Sequence, residues 1–231
     1  MERLAAAFRG GTGRTSDCPR LLLSFGLHPQ APRAEDGAFL EELLRSGRLD
    51  AVGEAGIDFF TPEFRADAAR QEEAWRIQLE LSAQYGKPLV IHCRKALDVM
   101  FRDARLLRNV PAAVFHSFCG GMNEARALLS RNVNAYFSFG KPLLNGSRRA
   151  AGCAASLPAG RLLLETDAPF QTLKGEPSTP LSDIRRVYEA AYRLRTERGT
   201  YSGSPEDFAL LLHANFRAAF QLPDAGGVPC G

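Results

Sequence analysis

The chain has 231 residues, 45% of them hydrophobic, and 29 Lys+Arg against 26 Asp+Glu leave a net charge of +3. So even a balance excludes a strong overall field for polyanions, and any phosphate contact has to be local. No run approaches the ~18–20 apolar residues of a spanning helix, and the apolar stretch at residues 4–8 is too short for a secretory signal, which predicts a soluble, unexported protein with no membrane partner.

Taken in chain order, short apolar runs alternate with segments of helical spacing. Residues 21–26 form an apolar run ahead of His28. Phe39, Leu40, Leu43 and Leu44 recur at helical intervals before a second run at 51–53, which leads into Glu54. Ala74, Ile77, Gln78 and Leu81 mark a second helix. Tyr85-Gly86 followed by Lys87-Pro88 gives it a stop signal. The run at 89–91 leads into His92, and Val99, Phe101, Leu106 and Leu107 suggest a third helical segment before Pro111. The run at 112–115 precedes His116, and Glu124, Ala125, Leu128 and Leu129 form a fourth helix. Residues 133–140 alternate and are aromatic, like a strand. The run at 162–164 precedes Glu165-Thr166-Asp167, and residues 183–198 and 205–220 read as two closing helices.

Short apolar runs bounded by turn residues suit strands buried on both faces. Their alternation with helices predicts an α/β fold with a parallel sheet and right-handed crossovers. α/β barrels of about 200–250 residues are commonly one domain, and with no Pro/Gly/Ser-rich linker in the middle, residues 1–231 read as one domain. Five cysteines, at 18, 93, 119, 153 and 230, are odd in number and form no Cys-x-x-Cys pair. Neither a disulfide framework nor a structural zinc site is indicated, and a reducing, cytoplasmic setting fits.

In such folds polar residues at the carboxyl ends of the strands converge on one site. Glu54, His92, His116 and Asp167 supply two carboxylates and two imidazoles, the mixture that binds catalytic Zn, Mn or Mg. A metal in such a shell acidifies water, which makes hydrolysis the natural reaction class. Each histidine read alone is as well explained by a structural hydrogen bond; four such residues at the same end of successive strands are not.

These residues sit in motifs that carry a resemblance. Gly26-Leu27-His28-Pro29, Gly53-Glu54-Ala55-Gly56-Ile57-Asp58-Phe59, Gln78-Leu79-x-Leu81, Pro88-x-x-Ile91-His92-x-Arg94-x-Ala96, His116-Ser117-Phe118-x-Gly120 and Glu165-Thr166-Asp167-Ala168-Pro169 resemble, in order, the TatD family of metal-dependent deoxyribonucleases. The likeness runs over about residues 21–222 and includes Asn215, Phe216 and Phe220 in the closing helix. It implies a TIM-like (β/α) barrel of the metal-dependent hydrolase type, with two divalent metal ions (Zn, Mg or Mn), and a deoxyribonuclease that cleaves DNA or another phosphodiester. Carried over residue by residue, Glu54 resembles the carboxylate shared by two metals, and His92 with His116 resemble ligands of one. Asp167 resembles the ligand of the other and a general base; Asp167 and Glu54 are thus the candidate catalytic pair.

Arg94 and His28 are the candidate substrate contacts. Arg94 lies two residues beyond His92, on the same face of a strand, where its planar fork suits phosphate oxygens; a salt bridge to Asp58 or Glu165 is the alternative. His28 is equally explained as pinned by the Pro29 turn. Asp58 and Glu165 are placed to orient ligands as hydrogen-bond acceptors. Lys141, Arg148 and Arg149 follow the strand at 133–140 as a charged loop beside a nucleic-acid channel or as a solvated face.

The family opens with a strand bearing a His-x-His pair, and no such pair occurs in these 231 residues. Only about 25 residues precede Gly26, and residues 1–8 resemble the helix leading into the family's third strand. The expectation is therefore a barrel lacking its first strands, or a start assigned to an internal methionine. Two other readings follow: a metallohydrolase of small phosphoesters or amides, and a noncatalytic relative that binds nucleic acid or protein through a degraded metal site.

Overall fold

The computed structural model describes residues 21–223. The expected helix at residues 1–8, Cys18 and Cys230 lie outside them. Parallel strands β1 (Ser24–Phe25), β2 (Ala51–Asp58), β3 (Leu89–Arg94), β4 (Ala113–Phe115), β5 (Ala135–Phe139) and β6 (Leu162–Leu164) pair strictly in that order. Between them run α1 (Gly37–Arg45), α2 (Pro62–Ala66), α3 (Ala68–Tyr85), α4 (Leu97–Arg102), α5 (Ala104–Leu107), α6 (Met122–Ser130) and α7 (Arg148–Ser156). After β6 come α8 (Ile184–Glu197) and α9 (Pro205–Ala219). A sequential order without reversal is that of a barrel wall; a doubly wound sheet would switch direction part-way. Among the described residues β1 and β6 each have a strand partner on one side only.

The elements form for local reasons. Helix α3 is stopped by Gly86, which adopts the left-handed conformation that favours glycine (φ 61°). Ser204 caps α9 by accepting from Asp207 N–H, with Pro205 at the first helical position. The parallel register places Ala55, Ile91, Phe115, Phe137 and Leu162 in one row across β2 to β6. Phe115 and Phe137 stack with ring centroids 5.7 Å apart. Trp75, Leu40, Ile57 and Met100 are fully buried in the same core, at about 1.5–3 kcal/mol for each large aliphatic side chain. His92 and Ser138 stand one residue past this row, at the end where the site forms.

Several boundaries differ from the sequence reading. Strand β2 runs on through Glu54 to Asp58, and β3 runs through His92 to Arg94, so these two residues lie within strands and not beyond them. Glycines make the extension of β2 fit. At Gly56 (φ 144°) a Cβ would come within 1.9 Å of the His92 carbonyl oxygen, so only glycine lets the two strands approach there. The pairing shifts register between Val52 and Ala55, a bulge that re-aims the side chain of Glu54. The third helical segment is two short helices that meet at Asp103. Helix α7 had no large apolar period to announce it, because it packs through Ala150, Cys153, Ala154 and Ala155. Arg148 and Arg149, read as loop residues, form its first turn, where Ser147 accepts from the Ala150 N–H. Lys141 is buried and held by Asp183 at 2.7 Å and by Glu176. No helix among the described residues is long and apolar enough to cross a membrane.

Candidate metal centre

The carboxyl ends of the strands open into a cavity of about 730 Å³ lined by His28, Glu54, His92, Arg94, His116 and Asp167, among others. All six residues singled out from the sequence therefore meet in one place. Glu54 Oε2 is the hub: it lies 3.0 Å from His116 Nε2, 3.3 Å from His28 Nε2 and 3.5 Å from His92 Nδ1. Two triads of donors share it. One is His28, Glu54 and His92; the other is Glu54, His116 and Asp167, and within each the donor atoms lie within 4.8 Å of one another. This grouping differs from the expected one, in which His92 and His116 serve one ion together. His92 Nδ1 and His116 Nε2 are nonetheless only 3.3 Å apart.

The donor set fits divalent metal. The histidine nitrogens 3.0–3.5 Å from Glu54 Oε2 match the donor-to-donor spacing of a tetrahedral shell whose members lie about 2.1 Å from its centre. The outward nitrogens are also tied back. His92 Nε2 donates to Asp58 Oδ2 at 2.9 Å, which leaves Nδ1 as the lone-pair nitrogen, 3.3 Å from His116 Nε2 and 3.5 Å from Glu54 Oε2. His116 Nδ1 faces Glu165 Oε1 at 3.6 Å, and its Nε2 faces the hub. This carboxylate–histidine pairing fixes the ring and raises its basicity as a ligand. His28 is oriented the other way: its Nδ1 accepts from the Gln30 N–H at 3.2 Å. A neutral imidazole accepting at one nitrogen carries its proton on the other. The His28 Nε2–H therefore points to Glu54 Oε2, 3.3 Å away.

Electrostatics follow from this crowding. Burial opposes the charged form of Glu54, but hydrogen bonds from His116 and His28, with His92 close by, overcome it and hold the carboxyl far below the ordinary range. Burial likewise opposes charge on His116, yet Glu165 and Glu54 push its pKa up to about 10. Asp58 stays low despite burial, because Gln30, the Phe60 N–H and His92 all hydrogen-bond it. Asp167 goes the other way: burial, with the negative charges of Glu165 and Glu54, raises its pKa.

Three glutamines, of which only Gln78 lies in one of the motifs, hold this arrangement in place. Gln78 on α3 accepts from Leu27 N–H at 2.8 Å and donates to Leu27 O at 3.1 Å, fixing the backbone beside His28. Two helical turns earlier, Gln71 does the same for Asp58, accepting from its N–H at 2.7 Å and donating to its carbonyl at 3.1 Å. The available signal was two polar residues, seven apart, on the apolar face of one helix. Gln171 donates to Asp167 Oδ2 at 2.8 Å and to Ser117 Oγ, and Ser117 in turn donates to Glu165. Lys95, Ser117, Asp167 and Gln171 all have φ between 45° and 55°, a conformation that costs about 1–3 kcal/mol each and clusters at functional sites. Arg94 lines the cavity and lies 3.6 Å from Asp58 Oδ2.

The likeness to known proteins follows the same residues. The model of the TatD related DNases matches residues 14–221. The chain belongs to the TatD family. It is 41% identical over 152 residues to the 3′-5′ ssDNA/RNA exonuclease TatD of Edwardsiella piscicida, a match covering 63% of this chain and 56% of that protein. It is 30% identical over 166 residues to the uncharacterized metal-dependent hydrolase YabD of Bacillus subtilis, covering 70% and 63% of the two chains. The chain thus spans less than two thirds of the length of these relatives. The TatD homologue YjjV of Escherichia coli superimposes with a TM-score of 0.76 at 25% identity, covering 96% of this chain and 82% of its own. A TatD-type α/β fold and dependence on divalent metal go with this membership.

Proposed function

We propose that this TatD protein is a phosphodiesterase that uses two divalent cations to cleave single-stranded nucleic acid, DNA in particular, by attack of water. The observation that carries the reading is that Glu54 joins two sets of donors, with His92 on one side and His116 and Asp167 on the other, an arrangement suited to clamping both sides of a displacement at phosphorus. Glu54, His92, His116 and Asp167 would hold the cations, whichever of Zn, Mn or Mg they are. When bound, the cations supply the positive charge that neutralises the phosphodiester and acidifies the attacking water.

The chain's own residues do the rest. Asp167, which shares a triad with Glu54 and His116, takes the proton of the attacking water as general base. His28 donates from Nε2 to a phosphoryl oxygen. Arg94, anchored by Asp58 and laid over the ring of Phe60 at 3.9 Å, presents a second cationic contact. Gln171 holds Asp167, and the Asp58 and Glu165 carboxylates hold the two ligand imidazoles. The cavity volume of about 730 Å³ falls in the range of sites for whole organic ligands and has room for a nucleotide unit.

The test is direct. Purified protein with Mg, Mn or Zn should shorten end-labelled single strands, EDTA should stop it, and Glu54→Gln should lose it. The direction named for the Edwardsiella relative makes the 3′ end the one expected to recede. Failure of the wild type to cleave any single strand with any of the three metals overturns the reading.

A further inference from the structure

Phe170 is a large apolar side chain left 69% exposed, and it lines the same cavity as the metal-binding residues. The backbone that carries it is tied to the site. Its N–H donates to the Asp167 carbonyl at 2.7 Å, and the neighbouring Pro169 carbonyl accepts from Thr179 N–H at 2.9 Å. Gln171, the next residue, is hydrogen-bonded to Asp167 and Ser117. The ring is therefore carried by a loop tied directly to a metal-binding carboxylate. None of the ring pairs or cation contacts among the described residues involves it, in contrast to Phe60, whose ring already lies under Arg94 at 3.9 Å and Lys95 at 4.6 Å. An exposed ring of this size at the lip of a charged site presents a free π-face to whatever lies beside the reacting phosphate.

We infer that Phe170 is a nucleobase-stacking subsite, which takes the flat face of the base next to the phosphodiester presented to Glu54 and Asp167. The inference rests on the phosphodiesterase reading and names the feature by which a nucleic-acid strand is held. Stacking on an aromatic ring tolerates every base, because each has a π-face. The subsite thus supplies affinity for unpaired strands without sequence preference, and a paired base is not free to occupy it.

The test uses a phosphorothioate-linked single strand with 2-aminopurine at its terminal positions, titrated with the protein in Mg, and a second strand whose terminal positions carry tetrahydrofuran in place of the base. Wild-type protein is expected to quench the 2-aminopurine and to prefer the base-bearing strand. Phe170→Ala should remove the quenching and weaken binding of that strand about 5- to 150-fold, yet bind the base-free strand as the wild type does. Phe170→Trp should keep both properties. Phe170→Leu, which keeps apolar bulk without a ring, should lose the quenching at an unchanged melting temperature. Equal quenching by wild type and Phe170→Ala overturns the subsite, as does an equal loss on both strands. Quenching by a wild type that cleaves no unmodified strand overturns the hydrolytic reading and leaves the subsite standing. A wild type that binds neither strand overturns both.

Discussion

Two halves of the site are built on different supports. Glu54 and His92 stand on β2 and β3, whose register is fixed from Ala55–Ile91 to Asp58–Arg94, and helix α3 clamps the flanking backbone through Gln71 and Gln78. Asp167, Phe170 and Gln171 stand on the long connection between β6 and α8, held by side-chain bonds and by buried Lys141 between Asp183 and Glu176. A strand ladder fixes donor spacing whether or not anything is bound. A loop held by side chains can adjust to a substrate, at the cost of a less rigid donor. The comparison teaches that the two donor triads differ in support: a strand ladder sets Glu54 and His92, side-chain bonds in a loop set Asp167, and Glu54 belongs to both triads.

The largest effect that would break this division comes from the shared residue. Glu54→Gln removes a carboxylate from both triads, so calorimetric titration should show loss of both ions and activity should fall about 10³-fold or more, in line with several kcal/mol of charge stabilisation. Asp167→Asn touches the loop half only, and one ion should remain on the strand half. If Asp167→Asn loses both ions, the two halves are not separable. Next in size is Asp58→Asn. The substituted amide cannot hold the His92 Nε2–H as a carboxylate does at 2.9 Å, and metal affinity at the strand half should drop about 10- to 100-fold. An unchanged affinity would mean that the ring is oriented by packing alone.

The strand half was the more legible in the sequence, for a physical reason. A strand buried on both faces has to be apolar, so Glu54 and His92 stand out as charged or titratable residues in runs of Ala, Val, Leu and Ile. What the runs did not reveal was that β2 continues to Asp58, because Gly53 and Gly56 look like turn residues until the close approach to His92 is seen. The loop half carried only the Glu165-Thr166-Asp167 signal. Gln171 and Phe170 lie in a stretch with no period, and their roles depend on contacts 54 residues away at Ser117 and on exposure, neither of which sequence spacing encodes. The same holds for His28: its neighbours name a turn, but only the bond from Gln30 shows which nitrogen faces the cavity.

A smaller effect sharpens the claim that α3 sets the strand half. Gln78 is fully buried and satisfies both backbone groups of Leu27. Gln78→Ala leaves a buried N–H without a partner, and denaturant unfolding should show a loss of about 1–3 kcal/mol. Because Leu27 adjoins His28, KM for a single strand should rise more than metal affinity falls. An equal loss of both would place Gln78 in the support of the metals themselves.

The smallest effect concerns a residue in neither half. Asp103, at the junction of α4 and α5, accepts from Trp75 Nε1 at 3.0 Å and pairs with Arg102 at 2.9 Å. Burial opposes its ionisation, but these two partners outweigh burial and hold its pKa below the ordinary value. A carboxyl depressed in the folded state stabilises the fold at pH above its unfolded pKa of about 3.9, and that contribution is lost as pH falls through the folded value. Asp103→Ala should therefore cost about 1–2 kcal/mol near neutral pH. The gap to wild type should narrow below about pH 4, where only the bond from Trp75 to the protonated acid remains. Ion binding should not change at any pH. If it weakens along with stability, donor spacing depends on the whole helical layer and not on the strand ladder with its two glutamine clamps.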